Sequence, residues 1–571
     1  MSRLPLIVQS DRTMLLEVDN PLYEEARDAL SSFAELLKSP EHMHTYQITA
    51  LSLWNAEAAG LTADAILDAL TRYSQYPVPE VVTEFIRDQA NRYGRLILRT
   101  APDGHGLWLT GDATALTEVG HSKGVQPFLA EPLHPGFRVA PEHRGLLKQA
   151  LAKQGWPVDD AAGYERGEPL TLHLATLLPD GRPFALRSYQ REAVQAFWGD
   201  GRVDRGHGVV VLPCGAGKTM VGLGVMERAQ THTLILTTST AALHQWQREL
   251  LDKTTLTPDD VGEYSATLKH IRPVTLTTYQ ILTHQRQGQF VHFEALDRHP
   301  WGLIIYDEVH LLPAPMFRLT ASLQARRRLG LTATLIREDG RADDVFALIG
   351  PKRFDMPWKT LESAGWIATA QCREIRVALP SALREAYAVA EDVDRVRIAA
   401  ENPVKMTVVE TLVKAHQDDL VLIIGQYVSQ LEALARHLNA PLITGKTPTK
   451  ERERLYDEFR HGRVPVLIVS KVGNFAIDLP DANVAIQISG AFGSRQEEAQ
   501  RLGRILRPKS DGRTATFYTI VSEDTKEQLF AQKRQLFLCE QGYRYEIAHA
   551  DATGAPRDHL APVIPFRVKS V

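Results

Sequence analysis

The sequence predicts an α/β protein with two parallel-sheet domains, preceded by a winged-helix-like helical region and a small α+β domain. The prediction rests mainly on a repeated pattern. Apolar, strand-like runs alternate with helical stretches from about residue 170 to 365, and the same alternation recurs from about 366 to 547. Such alternation is typical of a parallel sheet that helices cover on both faces. Its recurrence indicates one architecture used twice.

Composition limits the class of protein. The chain has 571 residues, 23% of them charged, and a formal net charge of −4, so contact with a polyanion would depend on local basic patches. Cys214, Cys372 and Cys539 lie far apart and form no CxxC pair, which argues against a zinc site or a disulfide framework. Apolar runs stay below the roughly 18 residues of a membrane span. We therefore expect a cytoplasmic protein without a membrane segment.

Residues 1–110 are predicted to form a helical, winged-helix-like domain. Three helices follow a first helical stretch that begins behind Asn20 and Pro21, and the runs RLILRT and LWLT flank APDGHG as a β-hairpin. The last helix carries Glu80, Glu84 and Asp88, so a protein-interaction or spacing module is favoured over a DNA reader. The predicted helices cover about 22–37, 48–59, 62–73 and 79–93.

The remaining boundaries follow the same patterns. Residues 111–170 are predicted to be a small α+β domain with the strand GFRVAP and the basic amphipathic helix EHRGLLKQALAKQG. The parallel-sheet domains are predicted at 171–365 and 366–550, and the Pro- and charge-rich residues 551–571 as a mobile tail.

A phosphate loop is the strongest functional signal. In VVVLPCGAGKTM a buried strand runs into a glycine-containing loop and then into an apolar helix. Such glycines let backbone N–H groups turn onto phosphates at a helix N-terminus, while Lys218 reaches the β- and γ-phosphates and the Thr219 hydroxyl binds Mg²⁺. Leu212 stands where the common pattern has glycine, so the match is partial. The predicted nucleotide-binding residues of this loop are Cys214, Gly215, Ala216, Gly217, Lys218 and Thr219.

The stretch LIIYDEVH supplies two carboxylates at the end of a predicted strand. Open α/β sheets bind ligands at that edge. Asp307 is predicted to hold Mg²⁺, and Glu308 to orient and deprotonate the attacking water. The alternative is an acidic strand terminus that caps a neighbouring helix. A position roughly ninety residues after a phosphate loop favours the catalytic interpretation.

A basic helix face near the end of the second domain completes the predicted catalytic set. In SRQEEAQRLGRILRP, Gln500, Arg504 and Arg507 share one helical face, with Arg501 beside them. If the two domains close on a nucleotide, these arginines could neutralise the γ-phosphate, a contribution of about 10³–10⁵ in rate. A solvated basic face is the alternative.

Together these motifs resemble the motor of superfamily-two helicases over about residues 180–550. LRSYQ resembles the adenine-reading element of that superfamily, with Gln190 as the base contact and Arg187 nearby. ITGKTPTKERERLYDEF and VSKVGNFAIDLP resemble motifs of the second domain. For seven further residues the resemblance implies contact with DNA or coupling of the ATP site to DNA. Threonine in a strand, however, is often only a β-former. The candidates are Thr237, Thr278, Tyr279, Thr332, Thr334, Gly445 and Thr447, with Gly473 and Asp478 facing the nucleotide.

Within that superfamily the sequence resembles the XPB family. The resemblance rests on PCGAGKT, DEVH, IDLP, AQRLGRILRPK and KRQLFLCEQGYRYEI, and on the triplet Arg337-Glu338-Asp339 after TAT. It implies two RecA-like motor domains, a damage-recognition-like domain at 111–170 and a thumb-like helical segment at 381–400. It also implies that the triplet engages DNA. The chain lacks the long extensions of eukaryotic relatives, which suggests a bacterial or archaeal member.

The resemblance implies an ATP-dependent DNA helicase or double-strand DNA translocase with 3′-to-5′ polarity, acting in nucleotide-excision repair near the nucleoid. ATP and Mg²⁺ would be its cofactors. Duplex or forked DNA would be its substrate, and a repair nuclease or other repair protein a possible partner. The alternatives are an RNA helicase, a nuclease-associated DNA translocase and a damage-binding clamp with weak ATPase activity.

Overall fold

The chain folds into two compact units, Met1–Trp358 and Lys359–Val571. In the part of the chain that the structure describes, every helix is too short or too polar to cross a bilayer. The computed structural model describes residues 3–39, 42–162, 167–201, 206–213, 215–285, 290–312, 316, 323, 325–333, 342–470, 482–489, 514–540, 543 and 545–550.

The first unit begins with a four-stranded antiparallel sheet that the sequence did not predict. Its order is β1-β2-β4-β3, and α1 (Tyr23–Ser31) lies between its second and third strands in the chain. The predicted helix over 22–37 was wrong beyond α1, because Leu36 enters β3 and pairs with Tyr46 of β4, where both side chains are buried. The strands are β1 (Leu6–Val8), β2 (Thr13–Glu17), β3 (Glu35–Lys38) and β4 (Met43–Gln47).

The predicted three helices and hairpin follow this sheet and are confirmed. Thr49 and Ser52 form a reciprocal capping box at the start of α2, with both N–H···O distances at 3.1 Å, which satisfies backbone donors at that helix end. The elements are α2 (Ala50–Ala58), α3 (Ala63–Tyr73), α4 (Glu80–Ala90), β5 (Leu96–Thr100) and β6 (Leu107–Gly111).

The hairpin also forms the centre of a second sheet, with order β7-β6-β5-β8. β6 pairs antiparallel with β7 (Gly136–Val139), and β5 pairs parallel with β8 (Val158–Asp160). The domain boundary predicted between residues 110 and 111 was therefore wrong, since strands on both sides of it share one sheet and one apolar core. The predicted strand in GFRVAP and the basic helix are confirmed as β7 and α6. The helices of this part are α5 (Ala113–His121) and α6 (Arg144–Lys153).

The first seven-stranded sheet has the order β11-β12-β10-β13-β14-β9-β15, and its strand pairs are parallel. This confirms the α/β fold predicted for this part of the chain. Its strands are β9 (His207–Val211), β10 (Thr233–Thr237), β11 (Val261–Tyr264), β12 (Val274–Thr278), β13 (Leu303–Asp307), β14 (Arg327–Thr332) and β15 (Lys352–Asp355). Its helices are α7 (Ser188–Trp198), α8 (Lys218–Ala229), α9 (Thr240–Lys253), α10 (Tyr279–Thr283), α11 (Val291–Asp297) and α12 (Ala342–Leu348).

The second unit holds another seven-stranded parallel sheet, with order β18-β19-β17-β20-β21-β16-β22. The predicted helical segment at 381–400 is a pair of helices, α14 and α15. The strands are β16 (Ala370–Val377), β17 (Val421–Gly425), β18 (Leu442–Ile443), β19 (Val466–Ser470), β20 (Val484–Gln487), β21 (Ala515–Ser522) and β22 (Tyr545–Ala550). The helices are α13 (Trp358–Ser363), α14 (Ser381–Val389), α15 (Asp392–Ala400), α16 (Val404–Ala415), α17 (Val428–Leu438), α18 (Thr449–Arg460) and α19 (Lys526–Glu540).

Candidate functional site

The predicted phosphate loop joins the end of β9 to the start of α8. Gly215 and Gly217 both have a φ of +80°, a left-handed conformation that favours glycine. A Cβ on Gly217 would lie 2.6 Å from Nε2 of Gln190, so the close approach also requires glycine there. Lys218 and Thr219 open α8, and the N-terminus of a helix favours an anion.

Helix α7 supports the loop from behind. The hydroxyl of Tyr189 and Nε2 of Gln190 donate hydrogen bonds to the carbonyl of Ala216, at 2.7 and 2.9 Å. Oε1 of Gln190 accepts from the backbone N–H of Arg187 at 2.9 Å. The predicted adenine-reading residue is thus buried and braces the phosphate loop, while its contact with a base stays a prediction.

The two predicted carboxylates lie beside the loop because of strand order. β14 separates β13 from β9, with Asp307 opposite Leu331 and Thr332 opposite Val211. Glu308 follows β13 with a φ of +49°. Its Oε1 lies 3.2 Å from Nζ of Lys218, and both side chains are largely buried. The residues predicted to contact phosphate and to activate water therefore meet at the carboxyl edge of the sheet.

Two aromatic side chains fix Asp307. Nε1 of Trp246 on α9 donates to Oδ2 of Asp307 at 3.0 Å, and the hydroxyl of Tyr279 donates to the Asp307 carbonyl at 2.9 Å. Burial and the neighbouring charge of Glu308 raise the pKa of Asp307 to about 6. Trp246 was not among the predicted site residues, since a tryptophan on an apolar helix face is typical of a core residue.

His310 connects the acidic motif to the predicted coupling strand. Its Nδ1 lies 2.6 Å from Oγ1 of Thr332 and 3.5 Å from Oε2 of Glu308. The Thr332 carbonyl accepts from the backbone N–H of Leu212 at 2.9 Å. Thr332 thereby contacts both the acidic motif and the chain that enters the phosphate loop. His310 ends the DEVH motif but was not among the predicted site residues.

Three residues predicted to contact DNA or to couple the sites have buried hydroxyl groups. Oγ1 of Thr237 donates to the carbonyls of Ser239 and Thr277, each at 3.2 Å. Thr278 caps α10, and Tyr279 holds the backbone of Asp307 as described above. Each of these hydroxyls is engaged inside the domain, and a role in DNA contact or in coupling stays a prediction for all three residues. For Tyr279 the geometry leaves the coupling role as a proposal.

In the second unit, Gly445 and Thr447 follow the edge strand β18. Gly445 is exposed. Oγ1 of Thr447 accepts from the backbone N–H of Thr444 at 2.9 Å, and the Thr447 carbonyl accepts from Nη2 of Arg452 at 3.1 Å. The turn is therefore held by its own side chains at the carboxyl edge of that sheet, and a phosphate contact there stays a prediction.

Several predicted residues lie outside the described part of the chain, so their assignments stay predictions. They are Cys214, Thr334, Arg337, Glu338, Asp339, Gly473, Asp478, Gln500, Arg501, Arg504 and Arg507, together with the tail 551–571.

Three family models match the chain. They are described as the ERCC3/RAD25/XPB C-terminal helicase over residues 361–560, the helicase conserved C-terminal domain over 6–134, and the type III restriction enzyme res subunit over 183–337.

Full-length relatives are also similar to this chain. The "DNA 3'-5' helicase XPB" of Kineococcus radiotolerans is 55% identical and covers 96% of this chain and 97% of its own length. The protein of the same name from Mycobacterium tuberculosis is 53% identical and covers 98% of this chain and 99% of its own length. The "General transcription and DNA repair factor IIH helicase/translocase subunit XPB/SSL2" of Saccharomyces cerevisiae is 31% identical and covers 96% of this chain and 72% of its own length.

Proposed function

The chain belongs to the XPB family of DNA helicases, and from that premise we propose that it is an ATP-hydrolysing 3′-to-5′ DNA helicase that acts in DNA repair. One observation carries the proposal. In a chain 55% identical to a DNA helicase along nearly its whole length, the Lys218 ammonium and the Glu308 carboxylate meet 3.2 Å apart beside a phosphate loop.

The ion pair suggests how ATP engages the site. Lys218 would exchange its contact with Glu308 for the β- and γ-phosphates, which carry more negative charge. Glu308 would then be released to orient a water molecule and to accept its proton. In this scheme hydrolysis begins only after phosphate has replaced the carboxylate at Lys218.

The chemistry of the donors fits Mg²⁺. The Thr219 hydroxyl opens α8 and the Asp307 carboxylate ends β13, and oxygen donors of this kind are the ligands that Mg²⁺ prefers. The raised pKa of Asp307 reflects a buried carboxylate whose charge lacks solvent, so a cation beside it is favoured. When bound, Mg²⁺ would neutralise phosphate charge as the γ-phosphoryl group is transferred.

Trp246 is expected to position Asp307 for the metal. Trp246→Phe keeps most of the ring volume but removes the indole N–H that donates to Oδ2. Loss of such an outer hydrogen bond typically costs 10–100-fold in metal affinity. We expect the Mg²⁺ concentration for half-maximal binding of a fluorescent ATP analogue to rise by about tenfold, with a matching rise in the Mg²⁺ requirement of ATP turnover.

Trp301→Phe is the matched control. Trp301 is buried in the same domain and donates to the carbonyl of Leu296 at 2.7 Å, away from the carboxylates. Its replacement should leave the Mg²⁺ dependence unchanged. An unchanged Mg²⁺ requirement in Trp246→Phe would show that the indole has only a packing role.

The remaining site residues extend the proposal to the second domain and to DNA. Gly473, Asp478, Gln500, Arg504 and Arg507 would face the nucleotide when the two domains close, with the arginines neutralising the γ-phosphate. Contacts to the sugar–phosphate backbone would dominate DNA binding and make it salt-dependent. The DNA-facing set would include Thr334, Arg337, Glu338, Asp339, Gly445 and Thr447.

The biological setting is likewise proposed. The relative from yeast is named as a subunit of a transcription and DNA repair factor. We propose that this chain acts on DNA at the nucleoid, with a repair nuclease or another repair protein as its partner.

ATP turnover on matched DNA and RNA tests the function. We expect forked duplex DNA to stimulate turnover strongly and RNA of the same sequence to have little effect. We also expect a fluorescently labelled strand to be displaced only with ATP, and DNA binding to weaken steeply as salt rises. Stimulation by RNA alone would favour an RNA helicase. Stimulated turnover without strand displacement would favour a translocase.

A further inference from the structure

The strand β14 carries an unusual buried charge near its beginning. Arg328 is 2% exposed, and its Nη2 lies 4.0 Å from Oδ2 of Asp160 at the end of β8. Nε of Arg144 and Nζ of Lys148, both on α6, reach the same carboxylate at 3.0 and 2.9 Å. Burial would raise the pKa of Asp160, but these charges outweigh burial and hold it well below its ordinary value. The N-terminal region is thus tied to β14 by an ionised, buried cluster.

The helix α12 is attached to the same region. Nε2 of Gln149 on α6 donates to Oδ1 of Asp344 at 2.8 Å. The ring of Phe346 contacts those of Trp54 and Tyr93, with centroids 5.9 and 6.1 Å apart. α12 therefore packs against both the helical part and the α+β part of the N-terminal region.

Arg328 also joins β14 to α12. Its Nε donates to the carbonyl of Leu348, the last residue of α12, at 2.9 Å. A buried charge that loses one of its partners is strongly destabilising, so separating β14 from α12 or from the cluster would be costly. At its far end β14 carries Thr332, which contacts His310 of the acidic motif. The N-terminal region is thus connected to the ATP site along β14.

In the sequence, β14 and α12 stand on either side of residues 334–341, which include the Arg337-Glu338-Asp339 triplet assigned above to DNA. We propose that α2, Tyr93, α6 and β8 form a positioning frame that fixes both flanks of this segment, so that stimulation of ATP turnover by DNA depends on the frame. This inference rests on the proposed helicase function. It assigns Gln149, Asp160 and Phe346 as positioning residues that act through β14 and α12.

Gln149→Glu is the mildest way to test the frame. It replaces a donor to Asp344 with a second carboxylate, which repels it, while Asp160 and the apolar core stay intact. We expect turnover in the presence of forked DNA, and strand displacement, to fall by roughly two- to thirtyfold, the range of measured coupling effects. Turnover without DNA and the thermal unfolding midpoint should stay close to those of the wild type.

Three further variants separate a positioning role from a general loss of stability. Gln149→Lys keeps an attractive contact with Asp344, and Gln149→Glu combined with Asp344→Asn restores a hydrogen bond with donor and acceptor exchanged. Both should recover most of the stimulation by DNA. Gln126→Glu adds the same charge at an exposed position of the same region and should have no effect.

The outcomes distinguish this inference from the proposed function. Wild-type turnover that did not respond to DNA would remove the helicase proposal, and the frame with it. If the wild type responds and Gln149→Glu responds equally, the helicase proposal stands and the frame is wrong. A parallel loss of DNA-free turnover and thermal stability, without recovery in the paired variants, would also overturn the frame.

Discussion

Replacing Glu308 with glutamine is expected to slow ATP turnover by about 10²–10⁴-fold, the usual contribution of a general base. The amide keeps the shape of the side chain but cannot accept the proton of the attacking water. ATP should still bind, because Lys218 and the phosphate loop remain. The substitution also removes the charge that holds Lys218 at 3.2 Å, so ATP affinity should be unchanged or improved.

Single-turnover hydrolysis and equilibrium binding of ATP measure the two effects separately. Glu294→Gln, which changes an exposed carboxylate on α11, is the control and should behave like the wild type. Turnover that survives in Glu308→Gln would mean that another group activates water, and the site assignment would have to be abandoned.

Replacing Lys218 with alanine is expected to weaken ATP binding. A hydrogen bond to a charged group contributes about 1.5–3 kcal/mol, which corresponds to roughly a ten- to hundredfold loss in affinity. Turnover at saturating ATP should fall as well, since the developing charge on the γ-phosphate loses its cation. The variant also leaves Glu308 without the ammonium group, so the local charge becomes more negative and opposes the nucleotide.

Titration calorimetry with ATP and Mg²⁺ measures the affinity directly. Lys253→Ala, at the end of α9 in the same domain and paired with Glu249, removes an equal charge away from the loop and should bind ATP normally. Unaltered affinity in Lys218→Ala would place the phosphates elsewhere. A folded protein is verified by an unchanged thermal unfolding profile.

The ATP site was predictable because its signals are local. The glycines of the phosphate loop, the lysine after them and the strand before them lie within a dozen residues or so, a spacing that fixes a strand–loop–helix unit. Asp307 and Glu308 end a run of four apolar residues, which predicts a buried strand and places both carboxylates at its carboxyl edge.

The missed residues depend on contacts between distant parts of the chain. Trp246 follows β10, which pairs with β13, so its indole reaches Asp307 only once the strand order is known. His310 meets Thr332 because β13 and β14 are neighbours. Neither distance is encoded in a local pattern, so the two residues could not be assigned to the site from the sequence.

The N-terminal strands were not predicted for a different physical reason. β1 has three residues and β3 has four, too few to establish the alternation that marks a strand. Leu36 continued the helical spacing of α1, yet its side chain is buried against β4 through a partner that the local sequence does not reveal. Likewise, Arg144 and Lys148 read as the polar face of α6, but they pair with Asp160 inside the protein.

The frame around β14 and α12 also bears on how this protein can be divided for study. A truncated chain that began at about residue 170, where the alternating pattern starts, would lose Asp160, Trp54 and Tyr93. It would uncover Phe346 and leave the Arg328 guanidinium in an apolar setting without its carboxylate. Such a fragment contains every ATP-binding motif and would look complete by sequence, yet it should be prone to aggregation.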